Sequence, residues 1–260
     1  MRASLKGKNV VITGAVHGIG ASLAALLAKE GCNLFLIDKK NLTETVSAVK
    51  NEKIKIISIV KDLSLSKSRE EVFFALEKEG FDVDILINNV GIGYWRYFQD
   101  TSWDKTEQII DINVKCMTHM TKLILPGMLK KNSGFIVNLS STAAFIGAPN
   151  GVCYSATKAY IRIFSETLSL ELEGTGVNTL CVFAGATDTH FWPEAMMEKS
   201  NYHEKVSKMT AGAVAKETIQ AMKSGKSSVI TGNTNKLNMF IANLLPRKIL
   251  KQIALKRFKG

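Results

Sequence analysis

Thr13-Gly14-Ala15-Val16-His17-Gly18-Ile19-Gly20 is the stretch that decides the fold. It follows a short β-branched run, Asn9–Thr13, and opens a segment of helical period over 19–29. Glycines at such a junction let the chain turn tightly and bring backbone N–H groups close to an anion, while the new helix aims its positive end at it. The spacing is G-x-x-x-G-x-G rather than G-x-G-x-x-G, and position supplies the missing specificity, because the turn lies between a strand and a helix. Eighteen residues after Gly20 a second strand, Asn33–Asp38, ends in an acid, close to the offset of about 20 residues expected of a ribose-binding carboxylate. The turn therefore reads as the pyrophosphate cradle of a dinucleotide, with Gly14, His17, Gly18, Ile19 and Gly20 around the phosphates and Asp38 on the ribose.

Asp38 bears on which dinucleotide is held. A carboxylate accepts hydrogen bonds from both adenosine ribose hydroxyls and repels a 2′-phosphate, which favours NAD. Lys39, Lys40 and His17 offer cations to that phosphate and favour NADP. The acid tips the reading to NAD, with NADP kept open.

Outward from the turn, short β-branched runs alternate with longer helical stretches. The strands are Asn9–Thr13, Asn33–Asp38, 55–60, Ile85–Asn88, 135–139, 177–183 and 228–231. The helical stretches are 19–29, 42–50, 67–79, 104–130, 152–173 and 213–223. This alternation predicts an α/β chain: a doubly wound, seven-stranded, mostly parallel sheet with helices on both faces. Residues 1–232 form that domain and 233–260 an extension. The 260-residue length fits one sizeable core.

The second decisive stretch runs from 135 to 158. A strand ends in Ser140-Ser141; then comes Tyr154-Ser155-Ala156-Thr157-Lys158. In a helix, positions i and i+4 share a face, so phenol and ammonium point into one pocket. A free tyrosine, with a pKa near 10, is a poor proton carrier at neutral pH; a fixed ammonium beside it stabilises the phenolate and suits it to general acid/base work.

With both motifs in hand, the sequence resembles the short-chain dehydrogenase/reductase family of the single-domain type, from about Leu5 to Gly232. The resemblance implies a Rossmann fold and hydride transfer between a nicotinamide and a carbonyl or alcohol carbon. It places Asp62-Leu63 on the adenine, aligns Asn88-Asn89-Val90-Gly91 with the family's Asn-Asn-Ala-Gly (Asn89 and Gly91 on the cofactor), and makes Asn113, Ser141, Tyr154 and Lys158 the catalytic set. Tyr154 and Lys158 would also touch the nicotinamide ribose, and Thr187 and Thr189 the carboxamide end. Asn113 stands between Ile109, Ile110 and Cys116, Met117, where an amide is costly unless bonded. It is either a satisfied core amide or, as the resemblance implies, a residue that bends the helix and holds a water for proton relay. Two departures stand out: Val90 replaces an alanine, and Ala184-Gly185 replaces the family's Pro-Gly, which frees the backbone before Thr187. A catalytically silent dinucleotide-binding regulator on the same fold is the competing reading; the complete catalytic set argues against it.

Two segments would border the substrate. One holds Tyr94, Trp95, Tyr97 and Phe98; the other holds His190, Phe191, Trp192, Met196, Met197, Tyr202 and His203. Their content predicts an apolar pocket under a mobile lid and a hydrophobic ketone or secondary alcohol as substrate, the alternative being that half of these rings pack on the body or on a second subunit. Arg96 reads as solvated, and the histidines lack metal-ligand spacing, so no metal site is expected.

Lys and Arg number 34 against 23 Asp and Glu, a formal charge of +11. After Glu217 there is no acidic residue, and the last 43 positions hold nine basic ones, which leaves +2 on the body. A uniformly basic nucleic-acid binder is thereby disfavoured. Four isolated cysteines, with no secretory signal or membrane-spanning run, predict a cytoplasmic protein. Homo-oligomers are implied by the family resemblance alone. In the extension, Leu237, Phe240, Ile241, Leu244 and Leu245 follow helical spacing up to Pro246; beyond it Ile249, Leu250, Ile253, Ala254 and Phe258 recur among basic residues. Two readings stand side by side: a peripheral hold on anionic lipid headgroups, and packing against the chain's own core or a second subunit.

Overall fold

The computed structural model describes residues 4–50, 53–197 and 206–258. Its sheet is built from β1 (Asn9–Thr13), β2 (Asn33–Asp38), β3 (Ile56–Val60), β4 (Ile85–Asn88), β5 (Gly134–Ser141), β6 (Val177–Ala184) and β9 (Ser228–Ile230), in the order β3-β2-β1-β4-β5-β6-β9. All six pairings are parallel, so the expected seven strands are present and none runs against the others.

Strand side chains alternate between faces, and parity divides the core into two layers. Val10, Ile12, Leu34, Leu36, Ile85, Ile87, Val137 and Leu139 share one layer with Leu23 and Leu27 of α1 (Gly18–Lys29) and Ile219 and Met222 of α8 (Ala211–Lys223). Val11, Phe35, Ile37, Leu86 and Ile136 share the other with Val72 and Leu76 of α3 (Ser66–Lys78), Met120, Ile124 and Met128 of α5 (Met117–Lys130) and Leu168 of α6 (Val152–Glu171). Strands covered on both faces have no polar side, which is why they read as near-continuous apolar runs. The strand order reverses between β1 and β4, and the carboxyl ends of the strands there open the crevice that holds the site.

Several boundaries differ from expectation. Ser140 and Ser141 lie within β5 rather than beyond it, paired with Phe183 and Ala184. The stretch 104–130 is not one regular helix: α4 (Trp103–Ile110) passes through a π-helical turn, Asp111–Cys116, into α5. The segment between β6 and α8, read only as a lid, forms β7 (Thr187–Asp188), a short α7 (Phe191–Glu194) and β8 (Met209–Thr210), with β7 and β8 paired in parallel.

The extension folds into α9 (Asn233–Leu244) and α10 (Arg247–Phe258), separated at Pro246 as its sequence requires. Packing of the predicted apolar face against the chain's own core is partial: Leu245 and Leu250 are half-buried and Ala254 is buried. Leu237, Phe240, Ile241 and Leu244 are exposed, while Met239 and Ala242 are the buried side chains of α9.

Candidate active site

The glycine turn forms as read. Gly18 holds φ at +59°, and a Cβ there would press on the Thr189 side chain at 2.8 Å. A Cβ on Gly20 would run into the Gly14 carbonyl oxygen and approach Asn89 Nδ2 to 2.6 Å. Side chains are thus excluded where the backbone must approach a ligand. The first turn of α1 has no acidic residue, so its positive end stays available to an anion. Asn89 ties β4 to this turn, donating from Nδ2 to the carbonyls of Thr13 and Gly14 at 2.9 and 2.8 Å.

Asp38, at the end of β2, accepts hydrogen bonds from the Val16 N–H at 3.1 Å and the Lys40 N–H at 3.0 Å. Lys40 turns its ammonium to Glu194 on α7 at 2.7 Å, a contact that raises its pKa, so one of the two lysines offered to a 2′-phosphate is engaged elsewhere. Asp62 accepts from Ser64 N and Oγ at 2.9 and 2.7 Å. Burial pushes its pKa up, but these hydrogen bonds and the Lys39 charge outweigh that and hold it below the ordinary carboxylate value.

On the chemical side, Lys158 is almost wholly buried and donates from Nζ to the Leu139 carbonyl at 2.9 Å. Burial pulls its pKa down from 10.5 to about 8. Its ammonium lies 5.6 Å from the centre of the Tyr154 ring. Ser141 Oγ accepts from the Ala143 N–H at 3.1 Å, which leaves its own O–H free to donate. Asn113 is 1% exposed and has its amide satisfied: Oδ1 accepts from Ile92 N, while Nδ2 donates to Ile92 O and Thr157 Oγ1. It sits at the centre of the π turn and clasps the backbone after Gly91, with its Oδ1 and the Lys158 ammonium both flanking that glycine.

One cavity of about 330 Å³ collects these groups: Gly14, His17, Gly18, Ile19, Asp38, Asp62, Leu63, Asn89 and Gly91 line it together with Ser141, Tyr154, Lys158, Thr187 and Thr189. Gly20 and Asn113 stand behind the wall as supports. Trp95 and Phe191 flank Tyr154, with ring centres 5.0 and 5.4 Å from it. Trp95 Nε1 is buried with no hydrogen-bond partner among the described residues. Trp192 instead packs on the body and donates to the Thr187 carbonyl at 2.6 Å, Met197 is buried with it, and Arg96, Tyr97, Phe98 and Met196 are exposed. His190 stacks on His17 at 4.4 Å. Tyr202 and His203 lie outside the described residues.

Some functional neighbours were missed in the sequence. Ser140 Oγ donates to the Lys158 carbonyl and so holds α6 in register on β5 behind the pair, while Thr157 Oγ1 donates to the Tyr154 carbonyl within α6 and accepts from Asn113. Met239, Ile253 and Ala254 of the extension also line the cavity, a contribution that only three-dimensional packing reveals.

Comparison with known proteins places the family and the fold. The short chain dehydrogenase family matches residues 8–200. A very-long-chain 3-oxoacyl-CoA reductase of Coprinopsis cinerea is 36% identical over 177 residues, 66% of this chain and 52% of that protein, so the chain spans about half that relative's length. A short-chain dehydrogenase from Sphingobium yanoikuyae, solved in complex with NADPH, superposes with a TM-score of 0.79 at 26% identity, covering 86% of this chain and 87% of that one. A family member from Burkholderia phymatum in complex with NAD has a TM-score of 0.84 at 24% identity over 96% of each chain, and speaks for the fold alone.

Proposed function

The chain belongs to the short-chain dehydrogenase family, and on that premise we propose that it is an NAD(P)-dependent oxidoreductase for a hydrophobic ketone or secondary alcohol. The observation that carries this is the shared cavity: a glycine cradle that added side chains would fill, beside Tyr154, Lys158 and Ser141. The cradle, the free positive end of α1 and the two carboxylates fit a dinucleotide.

When bound, the nicotinamide supplies or accepts the hydride. The chain orients the partners and handles the proton. Tyr154 donates its phenolic proton to the carbonyl oxygen in reduction and takes it back in oxidation. Lys158, held by Leu139 in apolar surroundings, keeps its positive charge aimed at that phenol, where weak screening strengthens its pull on the phenolate. Ser141 donates to the substrate oxygen. Asn113 fixes the segment after Gly91 against α6 and acts as a positioning residue. Trp95 and Phe191 exclude water from the reacting face.

For the cofactor, Asp38 supports NAD, and the Lys40–Glu194 pair removes one cation from the competing reading. The substrate reading rests on the aromatic wall, and the name of the fungal relative points to an acyl chain of the same apolar character. The exposed α5–α6 side chains Leu129, Tyr160, Ile163 and Leu170 support a homo-oligomer.

Titration with NADH and NADPH, followed by a panel of apolar carbonyls, tests the assignment. Tyr154→Phe is expected to bind cofactor nearly as the parent does while turnover falls at least about a thousandfold. Substantial residual turnover in that variant defeats the role given to Tyr154; binding without turnover in the parent across the whole panel favours a silent regulator.

A further inference from the structure

On α9 the apolar residues and the buried residues lie on opposite sides. At about 100° per residue, Leu237, Phe240, Ile241 and Leu244 centre on one direction, and Asn235, Met239 and Ala242 on the other. The second group faces the body: Asn235 packs on Gly185 and donates to the Thr231 carbonyl, and Met239 lines the cavity. The first group faces outward, with exposures of 59, 64, 45 and 71%. On α10 Ala254 is buried and Ile249, Ile253 and Leu255 are exposed at 41, 43 and 48%, with Ile249 and Ile253 on one side of the helix and Leu255 among the exposed Lys248 and Lys251. Covering such a face requires a partner that is apolar in depth and negative at its surface, because residues 233–258 carry six basic side chains and no acidic one, with Lys236 of these paired to Glu217 of the body. A second copy of the chain suits it poorly, since a two-fold contact sets this acid-free segment against itself.

We propose that the α9–α10 extension docks on an anionic phospholipid membrane. The exposed leucines, isoleucines and phenylalanine enter the boundary between headgroups and acyl chains, and the lysines meet the lipid phosphates and carboxylates. Among the described residues no helix is long and apolar enough to cross a membrane, so the hold is on the surface. On α9 the docking face and the Met239 side that lines the cavity are opposite, and on α10 Ile253 belongs to both. The docking itself is independent of the reaction assigned above.

Flotation of the full chain with vesicles tests this, using phosphatidylcholine alone or with about one-third phosphatidylserine. The chain is expected to float with the anionic vesicles and to stay behind with the neutral ones. Leu237→Ser, Phe240→Ser and Leu244→Ser together are expected to abolish flotation while cofactor binding and thermal unfolding stay unchanged. Should that triple variant fail to fold, Lys248→Glu with Lys251→Glu carries the test, with partition on anionic vesicles lowered at least about tenfold. Failure of the parent to float, or undiminished flotation of either folded variant, overturns the proposal. So does a parent dimer that the triple substitution turns into a monomer, because the face then belongs to a second copy.

Discussion

Replacing Lys158 by methionine should stabilise the protein while destroying its activity. The lysine is 5% exposed, and burial lowers its pKa from 10.5 to about 8. At about 1.4 kcal/mol per pH unit, keeping the ammonium charged at pH 7 costs the fold about 3 kcal/mol. Methionine nearly matches the lysine stem and carries no charge. It also forfeits the hydrogen bond to Leu139, a loss of about 1 kcal/mol. A net gain of about 2 kcal/mol remains, which for a chain of this size raises the melting temperature by about 5 °C.

The sign of the pH dependence is a stricter check. With its folded pKa below its unfolded one, the lysine binds its proton more weakly in the native state. Its penalty is complete below pH 8 and disappears as pH rises from about 8 to 10.5. The buried thiols of Cys32, Cys116 and Cys181 work the other way. Burial pushes each from 9.0 up to about 12, so the stability they add is lost as pH climbs through that window. Both chains share Cys32 and Cys116, whose contributions cancel in the difference, and a Cys181→Ala background removes the thiol whose charge is coupled to the lysine. Measuring in a Tyr154→Phe background removes the coupled titration of the phenol. Urea unfolding should show the methionine chain ahead by about 2 kcal/mol at pH 7, with the advantage gone by pH 10.5. A methionine chain that is less stable at pH 7, or an advantage that does not change with pH, refutes the buried-charge reasoning.

Two further substitutions probe the two ends of the cavity. Asp38→Asn puts an amide donor against at least one of the N–H groups of Val16 and Lys40 and removes the negative charge, so NAD(H) affinity should fall about tenfold and NADP(H) should gain relative to it; fluorescence titration with both cofactors reads this, and an unchanged ratio removes Asp38 from cofactor choice. Trp95→Phe keeps an aromatic ring against Tyr154 and deletes the orphaned Nε1–H. If that donor meets a second polar group of the substrate, KM should rise about five- to tenfold with kcat little changed, whereas a fall in kcat alone would assign Trp95 to packing around the tyrosine.

The reading from sequence was accurate where a residue's role follows from its neighbours along the chain and incomplete where it follows from neighbours across it. Strand parity divided Val10 and Val11 between two core layers, and i, i+4 spacing set Tyr154 and Lys158 on one side of α6, because backbone geometry alone enforces both. The glycine turn was legible for the same reason. Ser140 carries no such local signature, since its hydroxyl acts on the Lys158 carbonyl, which only the packed β5–α6 pair brings near; Thr157 bonds the Tyr154 carbonyl within its own helix, and its cross-chain role is to accept from Asn113 Nδ2. Periodicity did not show the π turn, because helical period is nearly the same on either side of Asn113; only the family resemblance implied a bend there, and in the structure the amide reaches the backbone of Ile92, 21 positions away.

The extension shows a different limit. Periodicity correctly found the apolar stripe Leu237, Phe240, Ile241 and Leu244, yet the body took hold of the opposite side of α9 through Met239, Ala242 and the Asn235–Thr231 contact. A hydrophobic period establishes that a face avoids water; it does not say which medium replaces the water. On α1 and α5 that medium is the sheet, which has apolar surface on both faces to offer. By α9 both faces of the sheet are already occupied, and the stripe Leu237, Phe240, Ile241 and Leu244 is left exposed among the described residues. The acid-free charge of the same segment then becomes informative, because it selects among external partners where hydrophobicity alone cannot.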